Sequence, residues 1–74
     1  MTQKNVVNPK HLLHSKWTAQ QVVKKQKHFI VVELIVDDDN VVQACDIEAV
    51  INQQRQRIDW RLLKDKTVWL PGWK

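Results

Sequence analysis

Few side chains in this sequence could do chemistry, and their spacing is loose. His11 and His14 stand three positions apart, and with His28 and Cys45 they make a set of ligand types that zinc accepts. The H-x-x-H spacing would place the first two on one face of a short helical turn, where solvation is the commoner fate of such a pair. Metal binding by His11, His14, His28 and Cys45 is therefore kept only as an alternative. Cys45 falls in an apolar alternation with Val32 and Ile47 as its expected neighbours, where a thiol packs as a small hydrophobe and nothing lowers its pKa. Glu33, Asp46 and Glu48 could act as acid/base carboxylates if one face gathered them. With no loops to build a pocket, they read instead as solvent-facing partners of Arg57 and nearby lysines. The sole glycine is Gly72, so a Gly-rich phosphate loop is missing. No catalytic residue emerges, no cofactor is implied, and the expectation is a protein that is not an enzyme.

The charges are more informative. Net charge is +4, but residues 1–27 hold six lysines and no acid, and residues 28–48 hold six acids and no Lys or Arg. Residues 49–74 return to six basic residues against Asp59 and Asp65. An acidic centre between basic flanks supports solubility and intramolecular attraction. It also offers a cationic surface to an anionic partner.

Those groups hang on the stretch from His28 to Ile51. Two runs rich in Val and Ile flank the polar knot Asp37-Asp38-Asp39-Asn40, the pattern of a β-hairpin. A symmetric four-residue loop sets Val36 opposite Val41. His28, Ile30, Val32 and Leu34 then share a core face with Cys45, Ile47 and Ala49. Phe29, Val31, Glu33, Ile35, Val42, Ala44, Asp46, Glu48 and Val50 take the second face. A further loop at 52–55 places Ala49 opposite Ile58 and brings Ile58 and Trp60 onto the core face.

Upstream, Asn8-Pro9 is a helix-entry signal for a turn over 9–14 that points Leu12 and Leu13 at the sheet. Ser15 to Ala19 reads as a short strand with Trp17 inward. Gln20 to Lys27 is a basic loop or an edge-strand continuation, in which lysines also guard against edge-to-edge pairing. Downstream, Asp59 caps a helical turn at 60–64, and Thr67 to Leu70 is extended. Residues 1–74 form one domain, with residues 1–7 expected to be frayed. Hydrophobic content of 43% excludes wholesale disorder. No run approaches the ~20 apolar residues of a membrane span. MTQKNVVNPK has no export pattern, and the lone cysteine suits a reducing compartment. The expected location is the cytoplasm, away from membranes.

Four tryptophans stand out in so short a chain. An aromatic side chain buries roughly 150–250 Å², so Trp17, Trp60 and Trp69 are assigned to closing the core. Trp73 is free for a second role, base stacking or a peptide groove.

The segments NPKHLLHSKWTA (8–19), KHFIV (27–31), CDIEAV (45–50), IDWRLLKD (58–65) and the closing W-L-P-G-W-K (69–74) resemble a family of short Trp-rich bacterial proteins of unknown function, found in proteobacteria and cyanobacteria. The resemblance implies a bacterial, cytoplasmic, single-domain protein whose tryptophans belong to the family pattern. It implies no activity, cofactor or catalytic residue.

Together these readings predict a mainly β fold, with α+β as the variant. It is a small antiparallel β-meander of three to four strands with an SH3-like barrel tendency and helical turns near 9–14 and 60–64. The expected function is a non-enzymatic binding module for RNA or single-stranded DNA. Lys24, Lys25, Lys27, Arg55, Arg57, Arg61, Lys64 and Lys66 would contact phosphates and Trp73 would stack. The alternative is a homodimer or protein-interaction module that covers Phe29, Val31, Ile35, Val42 and Val50 on the second face.

Overall fold

The computed structural model describes residues 4–74. Among these residues five strands pair antiparallel: β1 (Lys16–Val23), β2 (Gln26–Val36), β3 (Val42–Ala49), β4 (Arg55–Ile58) and β5 (Trp69–Pro71). They form one sheet in the order β4-β3-β2-β1-β5. The mainly β class is as expected, but there are five strands, and the sheet does not curl into a barrel. β4 and β5 remain its two edges, in a slab with extents of 37 × 34 × 15 Å. The reason lies in the connection between them. After β4, the chain makes a 3₁₀ turn, Trp60–Lys64, across the core face and drives Trp60 and Leu63 into it. That turn fills the space into which a closing barrel would fold.

Asp59 starts this turn by accepting a hydrogen bond from the Arg61 N–H. Asn8 does the same for Lys10 at the first 3₁₀ turn, Pro9–His11, which is shorter than the 9–14 expected. Leu12 is buried behind it, whereas Leu13 faces solvent, contrary to its expected place against the sheet. The core is Leu12, Trp17, Phe29, Val31, Val42, Cys45, Ile47, Ala49, Trp60, Leu63 and Trp69. Three of the four indoles are in it, as expected, and Phe29 meets Trp69 edge-on at 5.2 Å. No helix among the described residues is long and apolar enough to cross a membrane.

The register of the central hairpin differs from the symmetric one. Val36 pairs with Val42, Val31 with Ile47 and Phe29 with Ala49. Asp37 is the cause. Its carboxylate accepts hydrogen bonds from the N–H groups of Asp39 and Val41, and Asn40 adopts a φ of 61°. Val41 is thereby held in the loop, a one-residue change that a second irregularity, between Ile35 and Val36, turns into two, so Glu33 to Ile35 keep their expected faces. Phe29 and Val31 point into the core, while His28 and Ile30 point out. The exchange comes from a bulge that leaves Val32 unpaired between Glu33 and Val31: Leu34, opposite Cys45, is on the core side as expected, and beyond the bulge Val31 takes the place of Ile30 there. Of the five residues expected to need cover on the second face, Phe29, Val31 and Val42 are buried in the core, whereas Ile35 is half-buried and Val50 is exposed.

The β3–β4 loop differs too, yet harmlessly. Gln53 takes a φ of 61°, and its N–H bonds the Ala49 carbonyl, so Ile58 pairs with Cys45 instead of Ala49. That displacement is four residues, an even number, so Ile58 keeps its core orientation. The expected fraying also stops short of Asn5. The Asn5 Nδ2 donates to the Leu63 and Trp69 carbonyls, both at 2.8 Å, and the residue is 8% exposed. Residues 1–3, the rest of the segment expected to fray, lie outside the described residues.

Candidate functional site

The face of the sheet away from the core carries transverse rows of side chains, set by strand pairing. One row runs Lys16, Ile30, Glu48, Arg55 across β1 to β4; the next includes Glu33, Asp46 and Arg57. The carboxylates do share one face, as expected, and they meet arginines there. Arg55 Nε lies 2.9 Å from Glu48 Oε1, and Arg57 Nε lies 2.9 Å from Asp46 Oδ1. The hydrogen bond from Arg57 is the main cause holding the Asp46 carboxyl below its usual range. Glu48 and Asp46 in turn raise the arginines above theirs. Both arginine side chains are 60% exposed, but the carboxylates beside them are only 23% and 14% exposed and offset their charge on this face.

Trp73 reaches the same face by a short path. Gly72 has a φ of 79°, a conformation that L side chains rarely adopt, and it turns the chain from β5 over β1. The Gly72 N–H donates to the Lys16 carbonyl at 2.7 Å, and Thr18 Oγ1 donates to the Gly72 carbonyl at 2.7 Å. The Lys74 N–H donates to Thr18 Oγ1 at 3.0 Å. Trp73 Nε1 donates to the Phe29 carbonyl at 3.0 Å. Lys16 Nζ stands 4.8 Å from the centre of the indole, within cation–π reach, and the His28 ring is 5.9 Å away, tilted by 39°. With its N–H anchored, the ring is still 44% exposed. It is an indole held in place with much of its surface in solvent.

The lysine-rich segment is a true hairpin. β1 continues to Val23, which pairs with Gln26, so Lys24 and Lys25 alone form the turn. Both have positive φ, 54° and 65°, the pattern of a type I′ turn, which normally selects Asn and Gly. Lys27 follows, exposed, at the start of β2. None of the three lysines is in an ion pair among the described residues, where the salt bridges are Arg55–Glu48, Arg57–Asp46 and Arg61–Asp59.

Arg61, Lys64 and Lys66 lie elsewhere. The 3₁₀ turn packs on the core side, so Arg61 and Lys64 are on the opposite side of the slab from Trp73, and Lys66 lies in the loop beyond the turn, where its carbonyl accepts from Gln20 Nε2. The nine residues predicted to bind nucleic acid thus divide into four groups: the hairpin tip, two neutralised arginines, the 3₁₀ turn region and Trp73. Lys16 and His28, which flank Trp73, were not among them. Alternation alone would have put Lys16 outward once Trp17 was inward, but nothing local links either residue to Trp73, 57 and 45 positions further on.

The zinc alternative does not assemble. Cys45 is fully buried on the core side, whereas His28 is on the outer face, and among the described residues no three potential ligands come together. Burial pushes the Cys45 thiol up to about 11, with Asp46 and Asp59 contributing, so it is an inert core residue.

No curated protein and no solved structure matches this chain. One family model does, under the description "Tryptophan-rich protein (DUF2389)", over residues 15–74, which include all four indoles, the buried three and the anchored Trp73. The chain therefore belongs to this tryptophan-rich family.

Proposed function

We propose that this protein is a non-enzymatic module that binds single-stranded RNA or DNA along the outer face of β1 and β2. A base stacks on Trp73, and Lys16 and the turn residues Lys24 and Lys25 meet the phosphates. The observation that carries this reading is the Trp73 indole, fixed by its bond to the Phe29 carbonyl while 44% of the residue stays exposed. Stacking on a preset aromatic ring loses little side-chain entropy, and every base has a π-face to offer. Eight residues separate Lys16 from Lys24, about 26 Å of extended chain at ~3.3 Å per residue, enough for several nucleotides. Arg55 and Arg57 drop out of the phosphate-binding set because Glu48 and Asp46 hold them. Arg61 and Lys64 drop out because they face the other way, as does Lys27, which alternates with Phe29 in β2, and Lys66 is left in the loop before β5.

Fluorescence anisotropy of a labelled single-stranded 12-mer tests this reading. Three phosphate contacts give a log–log salt slope of about −2, so affinity falls roughly 20-fold between 50 and 200 mM salt. Trp73→Ala lowers affinity about tenfold or more at either salt level. Salt-independent binding, or affinity unchanged in Trp73→Ala, contradicts the proposal.

A further inference from the structure

The side of the slab opposite Trp73 holds a second cluster of cations, and its geometry is distinct. Arg61 and Lys64 are three residues apart in a 3₁₀ turn, where such positions eclipse one another. Both reach the same indole: Arg61 Cζ lies 5.3 Å and Lys64 Nζ 5.0 Å from the Trp60 ring centre. That ring is a fixed base. It is 8% exposed, and its Nε1 donates to the Val42 carbonyl at 3.0 Å. Lys4 arrives from the other end of the chain, its backbone placed by an antiparallel β-bridge with the Asp65 backbone and by the hydrogen bond from the Asn5 N–H to the Lys64 carbonyl.

Lys4, Arg61, Lys64 and Asp65 line one open cavity of about 380 Å³. Three cations and one carboxylate leave it at +2. The carboxylate is already occupied. Asp65 Oδ1 accepts from the Thr67 N–H at 2.9 Å and from Thr67 Oγ1 at 2.6 Å, and these bonds hold its pKa below the usual range. Arg61 also touches Asp59 at 3.3 Å, but both side chains are more than half exposed, so water and salt weaken that contact. Like charges gathered on one cavity repel each other until an anion enters.

We propose that this cavity is a binding site for a phosphate group, in the form of a phosphomonoester dianion. The planar fork of Arg61 grips two of its oxygens, and Lys4 and Lys64 act as point charges on the others. The cavity is larger than the phosphate, so an organic remainder has room. Trp60 is too deeply buried to stack on that remainder, so charge, rather than a base, determines recognition. The site does not depend on the Trp73 reading: the two share no residue and lie on opposite sides of the sheet.

The test is a titration of the full chain with inorganic phosphate at pH 7.5, followed by ¹H–¹⁵N NMR, with sodium chloride holding ionic strength constant. Saturable shifts centred on Lys4, Arg61, Lys64 and the Trp60 indole are expected. In the Arg61→Gln/Lys64→Met double variant, affinity falls at least tenfold; in Trp73→Ala it is unchanged. AMP should bind at least as tightly as phosphate, and adenosine should not bind. Lys4→Gln, at an exposed position, weakens binding several-fold and serves if the double variant does not fold. Shifts that do not saturate, shifts centred elsewhere, adenosine binding equal to AMP, or phosphate affinity retained in the folded double variant or in Lys4→Gln would overturn the proposal.

Discussion

Trp73 Nε1 donates a 3.0 Å hydrogen bond to the Phe29 carbonyl, and this contact ties the last aromatic residue to a central strand of the sheet. Trp73→Phe keeps an aromatic ring but leaves that carbonyl without its indole partner, which costs about 1 kcal/mol of stability. Binding separates the two roles of the side chain. Oligonucleotide affinity should fall only a few-fold in Trp73→Phe, against about tenfold or more in Trp73→Ala, because base stacking needs the ring more than the N–H. Equal losses in both variants would mean that the indole serves the fold alone.

The Lys24-Lys25 turn carries avoidable strain. Left-handed backbone costs an ordinary residue roughly 1–2 kcal/mol, and Asn-Gly is the preferred pair for this turn. Replacing the two lysines by Asn and Gly should therefore stabilise the protein by about 1–2 kcal/mol, read as a higher urea midpoint at unchanged m. The same variant should bind single strands more weakly and with a shallower salt slope, by about 0.7 for each phosphate that no longer meets a lysine. Stabilisation without any change in binding would remove the hairpin tip from the proposed interface.

Asn5 holds the N-terminal segment against the 3₁₀ turn, although the family match begins only at residue 15. Asn5→Ala strips the Leu63 and Trp69 carbonyls of a buried donor, so unfolding free energy should drop by about 2–4 kcal/mol. Asn5→Asp should be worse at neutral pH, since it sets a carboxylate against two carbonyl oxygens. Loss of Asn5 should also weaken phosphate binding, because the same segment carries Lys4. If Asn5→Ala is as stable as the parent protein, the segment is not docked as described.

Burial raises the Cys45 thiol from 9.0 to about 11, and the sign of its effect on stability follows. Below pH 9 the thiol is protonated in both folded and unfolded chains and contributes no pH dependence. Between 9 and 11 the unfolded chain loses this proton while the folded one keeps it, so stability falls by about 1.4 kcal/mol per pH unit. Lysines titrate in the same range, so the slope must be compared with that of Cys45→Ala, which should be shallower by that amount. Urea unfolding at pH 8.5 and 10.5 measures both. Identical slopes would show that the thiol is not shielded.

Much of the scaffold was legible from residue types: the β class, the hairpin around the acidic knot, and Trp17, Trp60, Trp69 and Cys45 in the core. The register was not. It depended on Asp37 capturing the Val41 N–H and on Asn40 turning left-handed, a choice between four and five loop residues that the two apolar runs do not decide. A compensating shift between Ile35 and Val36 kept Leu34 inside, and it was the Val32 bulge that exchanged Ile30 for Val31 there. The site was less legible still. Arg55 and Arg57 look like free cations until strand pairing sets them beside Glu48 and Asp46. Lys16 and His28 gain their role only because Gly72 turns Trp73 back over β1. The Lys4 cavity joins residues about 60 positions apart, and no local spacing announces it.

The most direct measurement is a ¹H–¹⁵N spectrum in which all four indole N–H signals are followed as single-stranded DNA is added. The expected result is a saturable shift of the Trp73 indole, with the Lys16 and His28 amides moving alongside it, reversed by raising salt, while Trp17 and Trp69 stay still. A stationary Trp73 indole under conditions where the DNA binds, or an unchanged spectrum at low salt, would contradict the assignment of this face.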